Sequence, residues 1–283
     1  MVFQYVFFQN ALMAGILAAI ACGVIGSYVI VKRLVFISGG ISHAAFGGIG
    51  LGLFLGYNPL LTAILFSIFS SSILGIISRK AYQREDTLIG AMWAIGMAFG
   101  LFMIYQIPGY VPDLASYLFG NILTVSRIAI VIMIALNIII VLIVFIRYNE
   151  FLAFSFDEEF SEVTTVPEMR TYIVLLSLVA LTVVVLVSVV GIILAMALLT
   201  LPDATASLFT NSLKKMIFLS TLIGVCYMLI GIAMSFFLNQ PSGATIVIIS
   251  GISYLGILGI KSLIIKSRSE ERRVGKECRS QWS

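Results

Sequence analysis

Nine stretches of about twenty residues, each nearly free of charge, constrain the fold more than any other feature of this sequence. They run over 10–31, 36–56, 60–78, 88–107, 128–146, 171–190, 191–209, 216–238 and 243–260. Together they contain one acidic residue, Asp203, and one imidazole, His43, the only histidine of the chain. A helix needs about 20 apolar residues to cross the hydrocarbon core of a bilayer. No soluble fold of 283 residues can hide such runs, because 60% of the chain is hydrophobic and only 11% charged, against about 25% charged in soluble domains. Apolar and polar residues do not alternate along the runs, which excludes an outer-membrane barrel. The expected fold is therefore all-α: a polytopic membrane helix bundle of eight or nine transmembrane helices. The count is open at one place. Runs 171–190 and 191–209 abut at Gly191, as two spans joined by a tight turn or as one span followed by a re-entrant half-helix.

Basic residues set the expected orientation. Lys32, Arg33, Arg79, Lys80, Arg84, Arg147, Arg170, Lys214, Lys215, Lys261 and Lys266 all fall on one side when the N-terminus is outside and nine spans are counted. Only Arg127 falls on the other side. The N-terminus is expected outside and the end of the helical core in the cytoplasm, in the inner or plasma membrane of a prokaryote. No cleavable leader is evident, since no basic region precedes the first run. Residues 1–266 read as one transmembrane domain. Hydrophobic periodicity stops at 267–283, a charged tail expected to be disordered or foreign to the natural chain.

Several functions are excluded at this stage. The net charge of +4 carries no basic stripe with interleaved aromatics, so nucleic acid is not an expected partner. Cys22, Cys226 and Cys278 lie far apart with no CxxC spacing, which leaves no disulfide framework and no structural metal cluster. No connection exceeds about 25 residues and no GxxxxGK[ST] phosphate loop is present, so any ATP would have to be bound by another chain.

Residues 36–56 carry the most chemistry. Ionisable groups inside a membrane are costly and usually face a cavity or a pathway. A neutral imidazole such as His43 is also a common ligand for zinc, manganese and iron. It can equally serve as a structural group bonding a neighbouring helix. Ala44, Gly48, Gly52 and Gly56 recur every four residues, a stripe of small residues that lets another helix approach closely. Gly47 and Gly50 leave the face beyond His43 bare. That suits a pathway or tight packing, and periodicity does not separate the two.

Four segments, in order, carry a resemblance. They are GGISHAAFGGIG at 39–50, LFGNIL at 118–123, SFDEEFSEVTTVP at 155–167, and VGIILAMALLTLPDATA at 190–206 followed by NSLKKMIFLS at 211–220. Over 8–262 the chain resembles the integral-membrane permeases of the ABC-3 family, the metal-ion ABC importers for manganese, zinc and iron. The resemblance implies a non-catalytic permease subunit that imports divalent transition-metal ions. It implies a homodimer, a cytoplasmic ABC ATPase subunit, and an extracellular or periplasmic metal-binding protein as partners. No permanently bound cofactor is implied, since the metal is cargo.

The chain departs from the family at two places that bear on the metal. Family members often carry DxxxH, which sets a carboxylate one helical turn from the histidine. That position is Gly39 here. In the family's PAATA pattern the first alanine is Asp203. Asp203 is therefore expected to replace the missing carboxylate from another helix, or else to cap a helix or shape a turn at the membrane edge.

The acidic connection at 148–170 is, by resemblance, the segment that docks on the ATPase. It reads as a short acidic amphipathic helix or else a solvated loop; as a helix it presents Phe156 and Phe160 at i, i+4 to a groove on that partner, while Asp157, Glu158, Glu159 and Glu162 meet a basic rim. Ser155 is a possible cap of this segment. Where the family often has glycine, two residues before Pro167, this chain has Thr165. The outer connection at 108–126 carries SYLFGNIL, expected either to gate the outer face or to pack against the bundle.

Two other classes compete. A secondary cation transporter would need intramembrane carboxylates, and only Asp203 is present. A permease for a metal chelate such as a siderophore or cobalamin would be longer.

Overall fold

The computed structural model describes residues 6–80, 85–108, 120, 122, 125–156 and 168–280. Its elements are helices α1 (Val6–Val31), α2 (Val35–Leu55), α3 (Pro59–Lys80), α4 (Glu85–Tyr105), α5 (Arg127–Ile146), α6 (Tyr148–Phe156), α7 (Glu168–Val190), α8 (Ile192–Ser207), α9 (Leu213–Leu238) and α10 (Ser242–Ser280). Among the described residues, eight helices are long and apolar enough to cross a membrane, and the apolar α8 is shorter.

The apolar runs become helices because a backbone in lipid must satisfy its own hydrogen bonds. Their ends follow local chemistry. Ser126 caps α5 by accepting from the Ala129 amide at 3.2 Å. Asn239 ends α9 in the left-handed conformation, at φ 51°. Gly191 separates α7 from α8 at φ 81° and ψ 167°, a backbone state that suits only glycine. The stretch 171–209 is thus two helices meeting at a single residue. The 16 residues of α8 span about 24 Å, short of a hydrocarbon core of about 30 Å.

Helix α2 packs between α3 and α4. Helix α1 packs on α9 and α8, while α7 lies against α3 and α2 and joins the two groups. The windows of α1, α2 and α7 are 72–78% buried, whereas α5 and α10 sit at the rim, at 28% and 17%. Beyond Arg127 at its first position, the exposed side chains of α5, among them Ile128, Val131, Ile138, Leu142 and Phe145, are apolar, as a lipid-facing surface requires.

Two boundaries differ from the sequence reading. The backbone of α10 continues without a break to Ser280 rather than ending near 266. SRSEERRVGKE contains no proline and is rich in good helix formers, so nothing local stops the helix. The charged connection at 148–170 begins as a helix, α6, which no apolar period announces.

Candidate functional site

Three polar side chains lie on α2: Ser38, Ser42 and His43. The Ser38 hydroxyl donates to the Val35 carbonyl at 2.7 Å and that of Ser42 to the Ser38 carbonyl at 2.9 Å. Both are fully enclosed. His43 is half-buried. Its ring stacks on the indole of Trp93 in α4, with centroids 4.1 Å apart and planes 12° from parallel. Its Nδ1 is buried without a hydrogen-bond partner. Trp93 fixes the plane of the imidazole and leaves its nitrogens to point elsewhere. The aromatic period of α4 gave no reason to single out Trp93 from its sequence alone.

One turn before His43, the space beyond Gly39 is occupied by another helix. A β-carbon at Gly39 would lie 2.9 Å from the Met196 methyl and 4.0 Å from its sulfur. Met196 belongs to α8 and is itself half-buried.

The remaining small residues of α2 serve helix contact. A β-carbon at Gly47 would meet the Gly96 carbonyl at 3.0 Å, and one at Gly50 the Gly100 carbonyl at 2.4 Å. The bare face beyond His43 is therefore filled by the backbone of α4. On the adjoining face, a β-carbon at Gly48 would sit 2.6 Å from the Ala63 Cα, and one at Gly52 2.9 Å from the Pro59 Cα. These two glycines admit α3. Gly56 does not belong with them. It is the left-handed C-cap of α2 at φ 71°, its amide bonds back to Gly52 and Leu53, and a β-carbon there would meet nothing within 4 Å. The four-residue spacing placed it on the packing stripe, but the helix ends one residue earlier.

Asp203 lies inside α8, four residues before its end, and is completely buried. It is neither a cap nor a turn residue at a membrane edge. Its Oδ1 accepts from the Ser27 hydroxyl of α1 at 2.9 Å. Ser27 lies 3.2 Å from the Ser220 hydroxyl of α9, and both hydroxyls reach the Gly23 carbonyl, at 2.8 and 3.0 Å. Asp203 Oδ2 has no hydrogen-bond partner. It fits because Gly26 has no side chain: a β-carbon there would be 2.2 Å from it. The carboxylate is thus turned toward α1 and α9. Met196, the α8 residue that meets Gly39, is seven positions away, a rise of about 10 Å. Within one chain the packing does not bring Asp203 to His43, because an oxygen-rich pocket of α1 and α9 holds it. Among the described residues, no group of three or more His, Cys, Asp or Glu side chains is placed to hold a metal.

Residues 4–261 match the ABC 3 transport family. The chain belongs to that family. A membrane protein of Synechocystis sp. of uncharacterised function is 44% identical over 252 residues, which span 89% of this chain and 90% of the relative. The manganese transport system membrane protein MntC of Listeria monocytogenes is 34% identical over 253 residues, 89% of each chain. A chain in the solved structure of PsaBC from Streptococcus pneumoniae in complex with Fab is 31% identical. It superposes with a TM-score of 0.81 over 90% of this chain and 91% of that one.

In this ABC 3 family chain the acidic connection leads out of α6. Asp157, Glu158, Glu159, Phe160 and Glu162 lie outside the described residues, and Phe156 is the last residue of α6. Ser155 is not a cap: it sits within α6 and its hydroxyl donates to the Phe151 carbonyl at 2.6 Å. Phe151 is fully buried and packs edge-on against Tyr28 of α1, at 5.6 Å between centroids. Phe154 meets Tyr172 of α7 at 5.9 Å, with the Lys32 ammonium 3.9 Å from the centre of its ring. Lys214 lies 5.1 Å over the ring of Tyr148. Basic residues from three separate connections, Lys32, Arg147 and Lys214, thus gather around α6 at one end of the bundle.

At the other connection, most of 118–123 lies outside the described residues. Gly120, at φ 60°, packs so closely on Val190 and Gly191 that a β-carbon would fall 2.2 Å from the Val190 carbonyl carbon. Ile122 is buried. The described part of this connection packs on the α7–α8 joint.

Proposed function

We propose that this chain is the membrane subunit of an ATP-driven importer of divalent transition-metal ions, with zinc, manganese and iron as the cargo class. It performs no covalent chemistry. Two copies form the translocation path, each coupled through the α6 end to a cytoplasmic ATPase, and a separate extracellular or periplasmic protein delivers the ion. ATP binding on the partner shifts the dimer between outward- and inward-open states. The N-terminus lies outside and the α6 end in the cytoplasm, which agrees with the gathering of Lys32, Arg147 and Lys214 there.

One observation carries the reading of the site. The only imidazole of the chain stands on a central helix, held in plane by Trp93 and with a ring nitrogen unpartnered. One nitrogen per chain makes a weak, transient site, which is what conduction requires, since tight binding would trap the ion. The names of the manganese transport relatives support a metal cargo.

Total cell metal, measured by mass spectrometry, tests this. A strain lacking the chain should lose one transition metal. The native chain with its ATPase should restore that metal, and a stably inserted His43→Ala should not. If no metal changes on deletion, the metal reading fails and uptake of a chelate takes its place. If His43→Ala restores the metal fully, His43 is not on the path.

A further inference from the structure

The packing at Gly39 carries an inference about which ions the site prefers. Side chains on a helix lean toward its N-terminus and cover the turn before their own Cα. His43 therefore leans over the turn that contains Gly39. The space above Gly39 is taken by Met196, whose methyl lies 2.9 Å and whose sulfur lies 4.0 Å from the position of a β-carbon there. Residues four apart on a helix have β-carbons about 5–6 Å apart. An imidazole on one of them and a thioether at the other can therefore reach one ion between them. Neither group is fully enclosed: His43 and Met196 are both half-buried. On α8, Met196 shares its open side with Ala197 and Thr200, which are also half-buried. Asp203, seven residues on, is fully enclosed and held by Ser27.

We infer that Met196 is the second ligand of the translocation site, so that His43 and Met196 form a nitrogen–sulfur pair. A thioether is a soft donor, and such donors select against hard ions held by oxygen. The pair therefore favours borderline and soft divalent ions, zinc and cadmium, over manganese. A side-chain carboxylate at position 39 would require the Met196 methyl to move aside. This inference rests on the reading that His43 contacts the transported ion.

The test uses the complete complex of permease, ATPase and binding protein in liposomes, with Cd2+ and Mn2+ supplied together. Met196→Leu keeps the volume and removes the sulfur. It should lower the ratio of cadmium to manganese uptake about tenfold. The binding protein is identical in both preparations, so its own selectivity cancels. Gly39→Asp combined with Met196→Ala, which clears the space the methyl held, should move the ratio further toward manganese, by supplying a hard oxygen one turn from His43. X-ray absorption at the cadmium edge gives a direct reading on the loaded complex. The sulfur signal should fall from native to Met196→Leu, while any cysteine contribution is common to both. An unchanged ratio and an unchanged sulfur signal in Met196→Leu, with uptake still lost in His43→Ala, would overturn the assignment of Met196 alone. Full uptake of both ions by His43→Ala would instead remove the underlying site.

Discussion

Replacing Gly50 by alanine tests whether α2 and α4 are held at a separation that only bare backbone allows. The new methyl would lie 2.4 Å from the Gly100 carbonyl oxygen and 2.7 Å from its Cα, where ordinary contact begins near 3.4 Å. About 1 Å of extra separation is needed in an interior packed as densely as an organic crystal. The obstructing atoms are main chain and cannot rotate away, so α4 itself must move. The same displacement opens the contact where a β-carbon at Gly96 would lie 2.6 Å from the Ala44 Cα. It also disturbs the stack of Trp93 on His43, which joins the same two helices. Overpacking a core typically costs about 1–3 kcal/mol, and the backbone obstruction puts this case at the upper end. The better helix propensity of alanine returns about 0.5–1 kcal/mol. A net loss of about 2 kcal/mol remains, roughly a thirtyfold fall in the folded-to-unfolded ratio. Gly90→Ala is the matched control on α4, because a β-carbon there meets nothing within 4 Å and takes only the propensity gain. Unfolding of the detergent-purified complex in graded denaturant reads both variants. Gly50→Ala should unfold earlier than the native chain and Gly90→Ala no earlier. Native-like stability of Gly50→Ala would refute the close approach of these helices.

Three further outcomes follow from the packing. Ser27→Ala removes the donor to Asp203 Oδ1 and leaves a fully buried carboxyl group without its α1 partner; unfolding of the purified protein should show a loss of about 1–3 kcal/mol. Trp93→Leu releases the His43 ring while disturbing little core, since Trp93 is 40% exposed; metal uptake should fall about tenfold with stability nearly unchanged, as when a group that orients a ligand is removed. Phe151→Ala empties a fully buried site between α6 and Tyr28. It should destabilise the protein by about 3–5 kcal/mol and weaken co-purification with the ATPase, because α6 would lose its anchor on α1.

The bundle was legible because lipid imposes one rule on every span. Each uncharged run became a helix, and apart from the C-terminal end of α10 the helix ends lie within a few residues of the expected ones; Gly191 was visible as the only joint between two runs with no loop. What the joint does depended on its φ of 81°, which no apolar pattern encodes. Helix α6 was hidden for the opposite reason. YNEFLAFSF is short and mixed, and its order comes from aromatic contacts with Tyr28 and Tyr172, more than a hundred residues before it in one case. Asp203 stood out as a lone charge in an apolar run. Its partner did not, because Ser27 lies 176 positions away and an isolated serine in a span carries no signal of its own.

The glycines of α2 show how two readings of one pattern are separated. A stripe without side chains fits both an open path and a close helix contact. Packing requires that the facing helix also be bare at matching intervals, and α4 is: Gly96 and Gly100, four apart, meet Ala44, Gly47 and Gly50. Gly48 and Gly52 are closed against α3 in the same way. These turns of α2 are therefore shut. The hydroxyls of Ser38 and Ser42 are spent on the helix's own carbonyls. Of the polar side chains on α2, His43 alone is both partly open and short of a partner. An ion that touches this helix must do so at the turn between Gly39 and His43, where the opposing surface is the thioether of Met196 rather than a carboxylate. On the proposed reading, the ion selectivity of the chain rests on two side chains, His43 and Met196, 153 positions apart in sequence.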